Sequence, residues 1–162
     1  MGAIFRWIRR LYNLLVNTSA IRSIVLPNAA SVTLTEAGAL AYGAWTDLAL
    51  LATVLVDTLI THVSVSAISA AGVFDIDIGS AEGYANAAAV IAAGAPAIAA
   101  AHRQEIRVER LDVTAAGVVI GGRYKLDSPI LIPAGTGIIG RVRSVAGGAK
   151  TVNVAVECKQ LF

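Results

Sequence analysis

The sequence predicts an all-β protein: an antiparallel β-sandwich preceded by a short N-terminal helical arm. Two observations support this prediction. Segments of four to eight residues alternate between apolar and polar side chains, and turn-forming residues separate them without the helical crossovers of parallel sheets. At 162 residues the chain fits one such domain and an appendage. We therefore divide it into a helical arm with a connector, residues 1–41, and a sandwich domain, residues 42–162.

The arm has the pattern of a short amphipathic helix over about Ala3–Val16. Apolar side chains recur there at intervals of three and four residues, and three arginines fall mostly off that stripe. An isolated helix of this length is marginal in water, so we expect it to dock on a neighbouring subunit, to lie on a membrane surface or to pack on its own domain. We favour the neighbouring subunit. The predicted interface residues are Ile4, Phe5, Arg6, Trp7, Ile8, Arg9, Arg10, Leu11, Tyr12 and Leu15.

The rest of the chain consists mainly of predicted strands. The connector holds a short strand at Ser31–Thr35, and the alanine-rich residues 83–102 predict a short helix or strand on either side of the break at Gly94-Ala95-Pro96. An irregular alternation at Arg110 indicates a β-bulge, and Asp127-Ser128 indicates a turn. The strands of the sandwich are expected within Ala44–Val56 and at Ile60–Ile68, Val73–Ile78, Gln104–Val113, Val118–Ile120, Tyr124–Leu126, Pro129–Ile132, Ile138–Val145 and Thr151–Cys158.

The last two strands are the most regular. A Gly-Gly centre within Ala146–Ala149 separates them, which predicts that they pair as a hairpin. In the final strand Val152, Val154, Val156 and Cys158 share one face and should point into the core. Cys158 is then a small packed hydrophobe rather than a reactive thiol.

The composition predicts an assembling protein. The chain is 56% hydrophobic and only 15% charged, whereas average globular chains carry about 25% charged residues. No uninterrupted apolar run reaches the roughly 18 residues of a membrane-spanning helix. We therefore expect the excess apolar surface to be covered by other protein chains. The net charge of +2 does not favour a nucleic-acid partner.

The residue pattern contains no recognisable catalytic constellation, so we expect no enzyme activity, no cofactor and no metal site. His62 is interpreted as a core or interface histidine. Asp75 and Asp77 share one strand face and, with Glu82, could hold calcium, but an exposed polar face of an edge strand is the favoured interpretation. The polar residues of the penultimate strand, Arg141 and Arg143, are expected to pair across the hairpin with Glu157 rather than to bind an anion.

Tyr124–Ser144 resembles a pattern common in virion proteins of tailed bacteriophages, of the form P-I-x-I-P-A-G-T-x-I-x-x-R-x-x-S before a Gly-rich turn. Upstream, Ala44–Asp47, Ile68 and Phe74–Gly79 are similar to further elements of the same family. The resemblance covers about Tyr42–Phe162. It implies a jelly-roll-like sandwich that serves as a capsid decoration (cement) protein, with the tail, collar or fibre as the alternative location.

The resemblance also implies partners and location. A decoration protein would associate with copies of itself, commonly as a trimer, and with the major capsid protein on the capsid exterior of the virion. The arm would then be a tether, in which Arg6, Arg9 and Arg10 pair with acidic capsid residues. A third hypothesis, from another class, is a membrane-peripheral or carbohydrate-binding module that uses the arm.

Overall fold

Two antiparallel sheets face each other in the computed structural model, which describes residues 21–27, 30–50, 52–94, 103–110 and 122–161. Within these residues one helix, α1, spans Ala87–Ala93. The strands are β1 (Ile21–Leu26), β2 (Val32–Thr35), β3 (Thr46–Ala49), β4 (Thr58–Ile68), β5 (Gly72–Ser80), β6 (Arg103–Arg110), β7 (Gly122–Ile132), β8 (Ile138–Ser144) and β9 (Thr151–Leu161).

The strand order is that of a jelly roll. The first sheet has the order β1-β9-β4-β7, with β2 also paired to β9, and the second has the order β3-β8-β5-β6. Because β1 and β2 pair with successive parts of β9, on either side of the cis Leu26-Pro27 bond, they act as one interrupted strand. The eight strands then form two four-strand layers, as in other double-sheet jelly rolls. The predicted antiparallel, jelly-roll-like β-sandwich is confirmed.

The core lies between the two sheets and is filled by alternate side chains of both. In β5 the buried Phe74, Ile76 and Ile78 point inward, as the strict alternation predicted. In β4, by contrast, β-bulges lie between Ile60 and His62 and between Val65 and Ala67. Each bulge adds one residue and reverses the alternation, so the buried side chains of β4 are separated by three, two and three residues. The simple alternation predicted for this strand is therefore wrong. Its buried apolar side chains are Ile60, Val63, Val65 and Ile68.

The predicted hairpin between the last two strands is wrong. Although β8 and β9 are consecutive, β8 pairs with β3 and β5 in the second sheet, whereas β9 pairs with β1, β2 and β4 in the first. Residues 145–150 carry the chain from one sheet to the other, with positive φ at Gly147, Gly148 and Ala149. The predicted inward face of β9 is nonetheless confirmed, because that face depends on alternation and not on the strand's partner.

Other local predictions also need correction. The turn expected at Asp127-Ser128 is a bulge inside the continuous strand β7, where four residues lie opposite Thr61 alone. Pro129, which has no N–H to donate, falls in this unpaired stretch. The bulge predicted at Arg110 is absent, since β6 pairs with β5 in regular register up to Gly72. Of the described residues in the long apolar run, only Thr46–Ala49 form a strand.

The alanine-rich segment forms α1 before its predicted break. The Asn86 side chain accepts a hydrogen bond from the Ala89 N–H at 3.0 Å and so caps the first turn. Gly94 ends the helix with φ of 78°. Ala87 and Val90 pack on Ile139, at the outer face of the second sheet. The part of the segment after the break, and the predicted strand Val118–Ile120, lie outside the described residues.

Candidate interaction surfaces

The ten predicted interface residues of the arm all lie in residues 1–20, outside the part of the chain that the structure describes. Their role stays a prediction. The described residues instead present three surfaces: the outer face of each sheet and the end of the sandwich from which residue 21 enters it.

The outer face of the second sheet carries a layer of ion pairs. In the register of β5 and β8, Asp75 lies opposite Arg143 and Asp77 lies opposite Arg141. The Arg141 Nη2 and Asp77 Oδ2 atoms are 2.9 Å apart, with the arginine side chain 22% exposed and the aspartate 3% exposed. Asp75 accepts hydrogen bonds from Arg143 Nε at 3.0 Å and from Arg107 Nε, on β6, at 2.8 Å. The layer therefore joins three adjacent strands.

Aromatic rings cover these ion pairs. The Arg141 guanidinium lies 4.2 Å from the ring centroid of Trp45 and 4.3 Å from that of Tyr42. The Arg143 guanidinium lies 4.7 Å from the ring centroid of Tyr42 as well. Both arginines of β8 are therefore within cation–π distance of an aromatic ring. The Tyr42 hydroxyl donates a hydrogen bond to Glu105.

The contacts in this layer stabilise the ionised carboxylate of Asp75 and the neutral phenol of Tyr42. The hydrogen bond from Arg107 lowers the pKa of Asp75 more than burial raises it, and Arg143 lowers it further. Burial, followed by the hydrogen bond to Glu105, raises the pKa of Tyr42 above its ordinary value. The carboxylate and the phenol therefore keep their neutral-pH protonation states over a wider range of pH.

The favoured interpretation of Asp75 and Asp77, an exposed polar face of an edge strand, is wrong, since these carboxylates are neither exposed nor on an edge strand. They are buried under arginines of neighbouring strands. Within the described ranges no group of three His, Cys, Asp or Glu residues is arranged to hold a metal ion. The pairing predicted between Glu157 and the arginines of β8 is also wrong, because β8 and β9 belong to different sheets.

The residues that carry the phage resemblance meet in this layer. Trp45, the two aspartates of Phe74–Gly79, and the two arginines of β8 come from separate stretches of the sequence. Sequence reasoning missed Tyr42, Glu105 and Arg107, which complete the layer. The alternation of charged and apolar residues in β6 was the available signal, because it places Glu105 and Arg107 on one face.

The outer face of the first sheet has a smaller polar cluster. Arg123 Nε donates to both carboxylate oxygens of Glu157, at 2.7 and 2.8 Å, and the Ser64 hydroxyl donates to the same group at 2.9 Å. The Arg123 side chain is 60% exposed. The cluster borders an open depression of about 310 Å³ whose wall includes His62 and Lys159. The hydrogen bond from Arg123, opposed by burial, lowers the pKa of Glu157.

This cluster does not have the geometry of a nucleophilic triad. Ser64 donates to Glu157, while the His62 Nδ1 atom contacts the Thr61 hydroxyl at 3.0 Å and Arg123 at 3.4 Å. No hydrogen bond between Ser64 and His62 is formed in the described part of the chain. Cys158, behind the depression, is 2% exposed, and burial raises its pKa to about 12. The interpretation of Cys158 as a packed hydrophobe is confirmed.

Three exposed leucines lie at the end of the sandwich where β1 begins. We call Leu50, Leu55 and Leu131 the leucine surface; their exposed fractions are 53%, 75% and 53%. The apolar run Ala44–Val56 was a partial signal for it, because the run is too long for a four-residue strand. Leu50 and Leu55 lie in the part of that run that leaves the sheet.

No protein-family model matches the chain, and no curated protein matches it. Among solved structures, the infectious bursal disease virus VP2 subviral particle is similar with a TM-score of 0.39 and 11% identity, over 87% of this chain and 32% of that one. The structure of the Gx strain of the same virus is similar with a TM-score of 0.35, 12% identity and the same two coverages.

The chain thus spans about a third of the length of the virus structures it matches. A likeness this distant carries no argument about function. Among the described residues, no helix is long and apolar enough to cross a membrane.

Proposed function

We propose that this chain is a structural subunit of a virion, and specifically a capsid decoration (cement) protein of a tailed bacteriophage. The observation that carries the proposal is exposed apolar surface. Leu50, Leu55 and Leu131 are each more than half exposed at one end of the sandwich, and Val25, Leu40, Ile91 and Val145 are exposed elsewhere. Large apolar side chains left open to water favour a role in which another protein covers them. The sequence resemblance in Tyr124–Ser144 supports the assignment to a phage virion.

The polar surfaces of the sandwich fit a structural role. The charged groups of the second sheet form ion pairs across three strands, and the rings of Tyr42 and Trp45 cover them. Such a layer strengthens the fold and covers the buried carboxylates. On the first sheet, Glu157 is engaged by Arg123 and Ser64. We therefore propose that the chain acts by binding other protein chains and not by catalysis.

The proposed partners are copies of this chain, as a homotrimer, and the major capsid protein. Each copy would add a modest contact area, and many copies on one shell would add up to a large stabilisation through multivalency. The division into an arm and a sandwich belongs to this proposal. The arm would tether a copy to its neighbours, with Arg6, Arg9 and Arg10 meeting acidic side chains and with Trp7 and Tyr12 as interface anchors.

Immunogold electron microscopy of purified virions, from the phage that encodes the chain, tests the location. Antibody raised against the purified full-length chain should label the capsid exterior evenly. Label confined to the tail, collar or fibres would replace the decoration role with that alternative. Virions without label would overturn a virion role, and binding of the chain to liposomes or a glycan array would then favour the third hypothesis.

Sedimentation velocity of the purified full-length chain tests self-association. A concentration-dependent shift to the mass of a trimer is expected. A chain that stays monomeric up to about 100 μM, where weak specific contacts are already populated, would contradict the proposed homotrimer.

A further inference from the structure

The open depression of about 310 Å³ on the outer face of the first sheet crosses four adjacent strands, β1, β9, β4 and β7. In the register of the sheet, Val25 lies opposite Glu157, and Glu157 lies opposite His62. In the neighbouring row, Ser23 lies opposite Lys159. These side chains all line the depression. Their positions are therefore fixed by the paired strands beneath them.

Arg123, which also lines the depression, uses only part of its guanidinium within the chain. The Nε atom donates to both oxygens of Glu157, and the Nη2 atom lies 2.7 Å from Glu157 Oε2. Within the described ranges the Nη1 atom has no hydrogen-bond partner. A guanidinium can bind two carboxylates at once, because its five N–H groups lie along separate edges. Arg123 can therefore hold Glu157 and still donate to a second carboxylate.

Lys159 carries the positive charge that is left over in the depression. Its side chain is exposed, and among the described residues it forms no ion pair. Glu157 is the acidic residue of the lining, and it is already bound by Arg123 and by the Ser64 hydroxyl. Arg123 and Lys159 thus outnumber Glu157 among the charged residues of the lining. A site with this balance attracts an anionic group.

The outer face of the second sheet has no such excess. There the three arginines of the layer described above are matched by three carboxylates, two of aspartate and one of glutamate. The positive balance is therefore a property of the depression and not of every polar surface of the sandwich.

The apolar part of the lining favours a carboxylate that is carried by a protein side chain. Val25 is 46% exposed, and Ile24 lines the same depression. An aspartate or glutamate places its methylene groups beside Val25, whereas a phosphate has no apolar part to cover it.

The carboxyl groups of this chain are largely engaged already, which favours a different protein as the source. Most of those that the structure describes accept a hydrogen bond or form an ion pair within the chain. These are Glu36, Asp47, Asp57, Asp75, Asp77, Glu105 and Glu157. Another copy would have to break such contacts to fill the depression.

We propose that this depression binds an acidic side chain of a different protein of the virion, with Arg123 and Lys159 as the residues that hold its carboxylate. The free edge of the guanidinium and the ammonium group both donate hydrogen bonds to it, and such charge-assisted bonds are the strong ones. The inference deepens the proposed function and rests on it, because it names a surface through which the sandwich meets another subunit of the shell.

Fluorescence anisotropy with the purified full-length chain tests the site without a virion. The probe is a fluorescein-labelled decapeptide of alternating glycine and glutamate, and the matched probe has glutamine in place of glutamate. The chain should bind the glutamate peptide and not the glutamine peptide. Lys159→Gln and Arg123→Ala should each raise the dissociation constant about tenfold, the loss expected for one hydrogen bond to a charged group.

The matched control variant is Lys125→Gln. Lys125 lies opposite His62, so the substitution removes an exposed positive charge from the same face but outside the lining of the depression. It should change the dissociation constant by less than about twofold, because water and salt screen a charge that does not touch the ligand. Circular dichroism checks that each variant keeps its strands.

Three results of this titration would overturn the proposal. The first is that the glutamate peptide does not bind at millimolar concentration. The second is that Lys125→Gln weakens binding as much as Lys159→Gln, so that only the general charge of the face matters. The third is that a labelled oligothymidylate binds more tightly than the peptide and depends on the same two residues, which would make the ligand a phosphate.

Carbodiimide cross-linking of purified virions identifies the partner. The reagent joins an amine to a carboxylate only where the two are in contact, so Lys159 should be joined to an aspartate or glutamate of a different virion protein. Mass spectrometry of the digested virions reads the linked peptides. Links from Lys159 to another copy of this chain would overturn the assigned partner. Links from Lys125 but none from Lys159 would overturn the site.

The outcome for this site and the outcome for the virion role are separable. Virions that carry antibody label, with a chain that does not bind the glutamate peptide, would leave the virion role in place and remove only the site. Peptide binding that depends on Lys159 and Arg123, with unlabelled virions, would leave the carboxylate site in place and remove the virion partner.

Discussion

The two outer faces of the sandwich use similar charged residues in different settings. On the second sheet the Arg141–Asp77 pair is mostly buried and lies beneath Trp45 and Tyr42. On the first sheet Arg123 meets Glu157 at a comparable distance, but its side chain is 60% exposed. Because the two ion pairs have similar distances but different exposure, comparing them shows how burial changes the contribution of an ion pair to stability.

Burial decides what each pair contributes. Water screens an exposed pair, and holding two long side chains in place costs entropy, so such pairs contribute little to stability. A pair shielded from water interacts more strongly, and removing one partner leaves the other charge without compensation. The outer face of the second sheet is therefore expected to be part of the folding core in energetic terms, although its residues are charged.

The largest expected effect is that of Arg141→Ala. The substitution leaves the buried Asp77 carboxylate without this guanidinium and removes the group that lies between Trp45 and Tyr42. We expect the free energy of unfolding to fall by about 3 kcal/mol. In a chain of this length that corresponds to a loss of roughly 6–12 °C in Tm. Urea unfolding followed by tryptophan fluorescence measures the change.

The matched variant on the first sheet is Arg123→Ala. Its guanidinium makes equally short hydrogen bonds to Glu157, but the Arg123 side chain is 60% exposed and that of Glu157 is 22% exposed. We expect no change in the urea midpoint beyond experimental error. Equal losses in Arg141→Ala and Arg123→Ala would show that burial does not separate the two faces.

The difference between the faces also marks how far sequence reasoning could go. Alternation alone predicted the inward face of β9 and the aspartates on one face of β5, because a strand's two faces follow from local geometry. Which strand lies beside which is set by the whole topology. The Gly-rich segment 145–150 has the composition of a hairpin turn, yet it joins strands of different sheets. The partner of Arg141 was therefore predicted on the wrong strand.

The bulges of β4 show the same limit on a smaller scale. The sequence Ile60–Ile68 fits a plain alternation, and nothing in its composition indicates that Thr61 and Ser66 are the extra residues. Their effect is visible only against the register of β9. The leucine surface was missed for a related reason, since the length of an apolar run does not tell which of its residues leave the sheet.

Acid should reduce the stability that the ion pairs on both outer faces contribute, and the loss should be larger on the second sheet. Asp75 and Glu157 have lowered pKa values in the folded state, chiefly because of hydrogen bonds from Arg107 and Arg123 respectively. A carboxyl group with a lowered folded pKa stabilises the protein above its unfolded pKa, about 4, and this contribution is lost as the pH falls through the folded value. The free energy of unfolding should therefore decline below about pH 4.

Two variants test which carboxyl group causes that decline in the free energy of unfolding. Asp75→Asn should lower stability at pH 7 and flatten the curve below about pH 4, because its carboxylate no longer takes up a proton on unfolding. Glu157→Gln should flatten the curve less, since water already screens its pair. Urea titrations across this range measure both slopes. A larger flattening from Glu157→Gln would reverse the ranking of the two faces.

The smallest effect, and the finest test of the buried layer, is that of Tyr42→Phe. The phenylalanine ring can keep its contacts with Arg141 and Arg143, so only the hydrogen bond to Glu105 is lost. We expect a loss of about 1 kcal/mol, the net value of an ordinary hydrogen bond. Tyr42→Leu is the control, because it fills similar space without a π face, and it should cost more. If urea unfolding shows Tyr42→Phe to be as damaging as Tyr42→Leu, the ring contributes nothing beyond its hydroxyl, and the arginines of β8 are held by their aspartates alone.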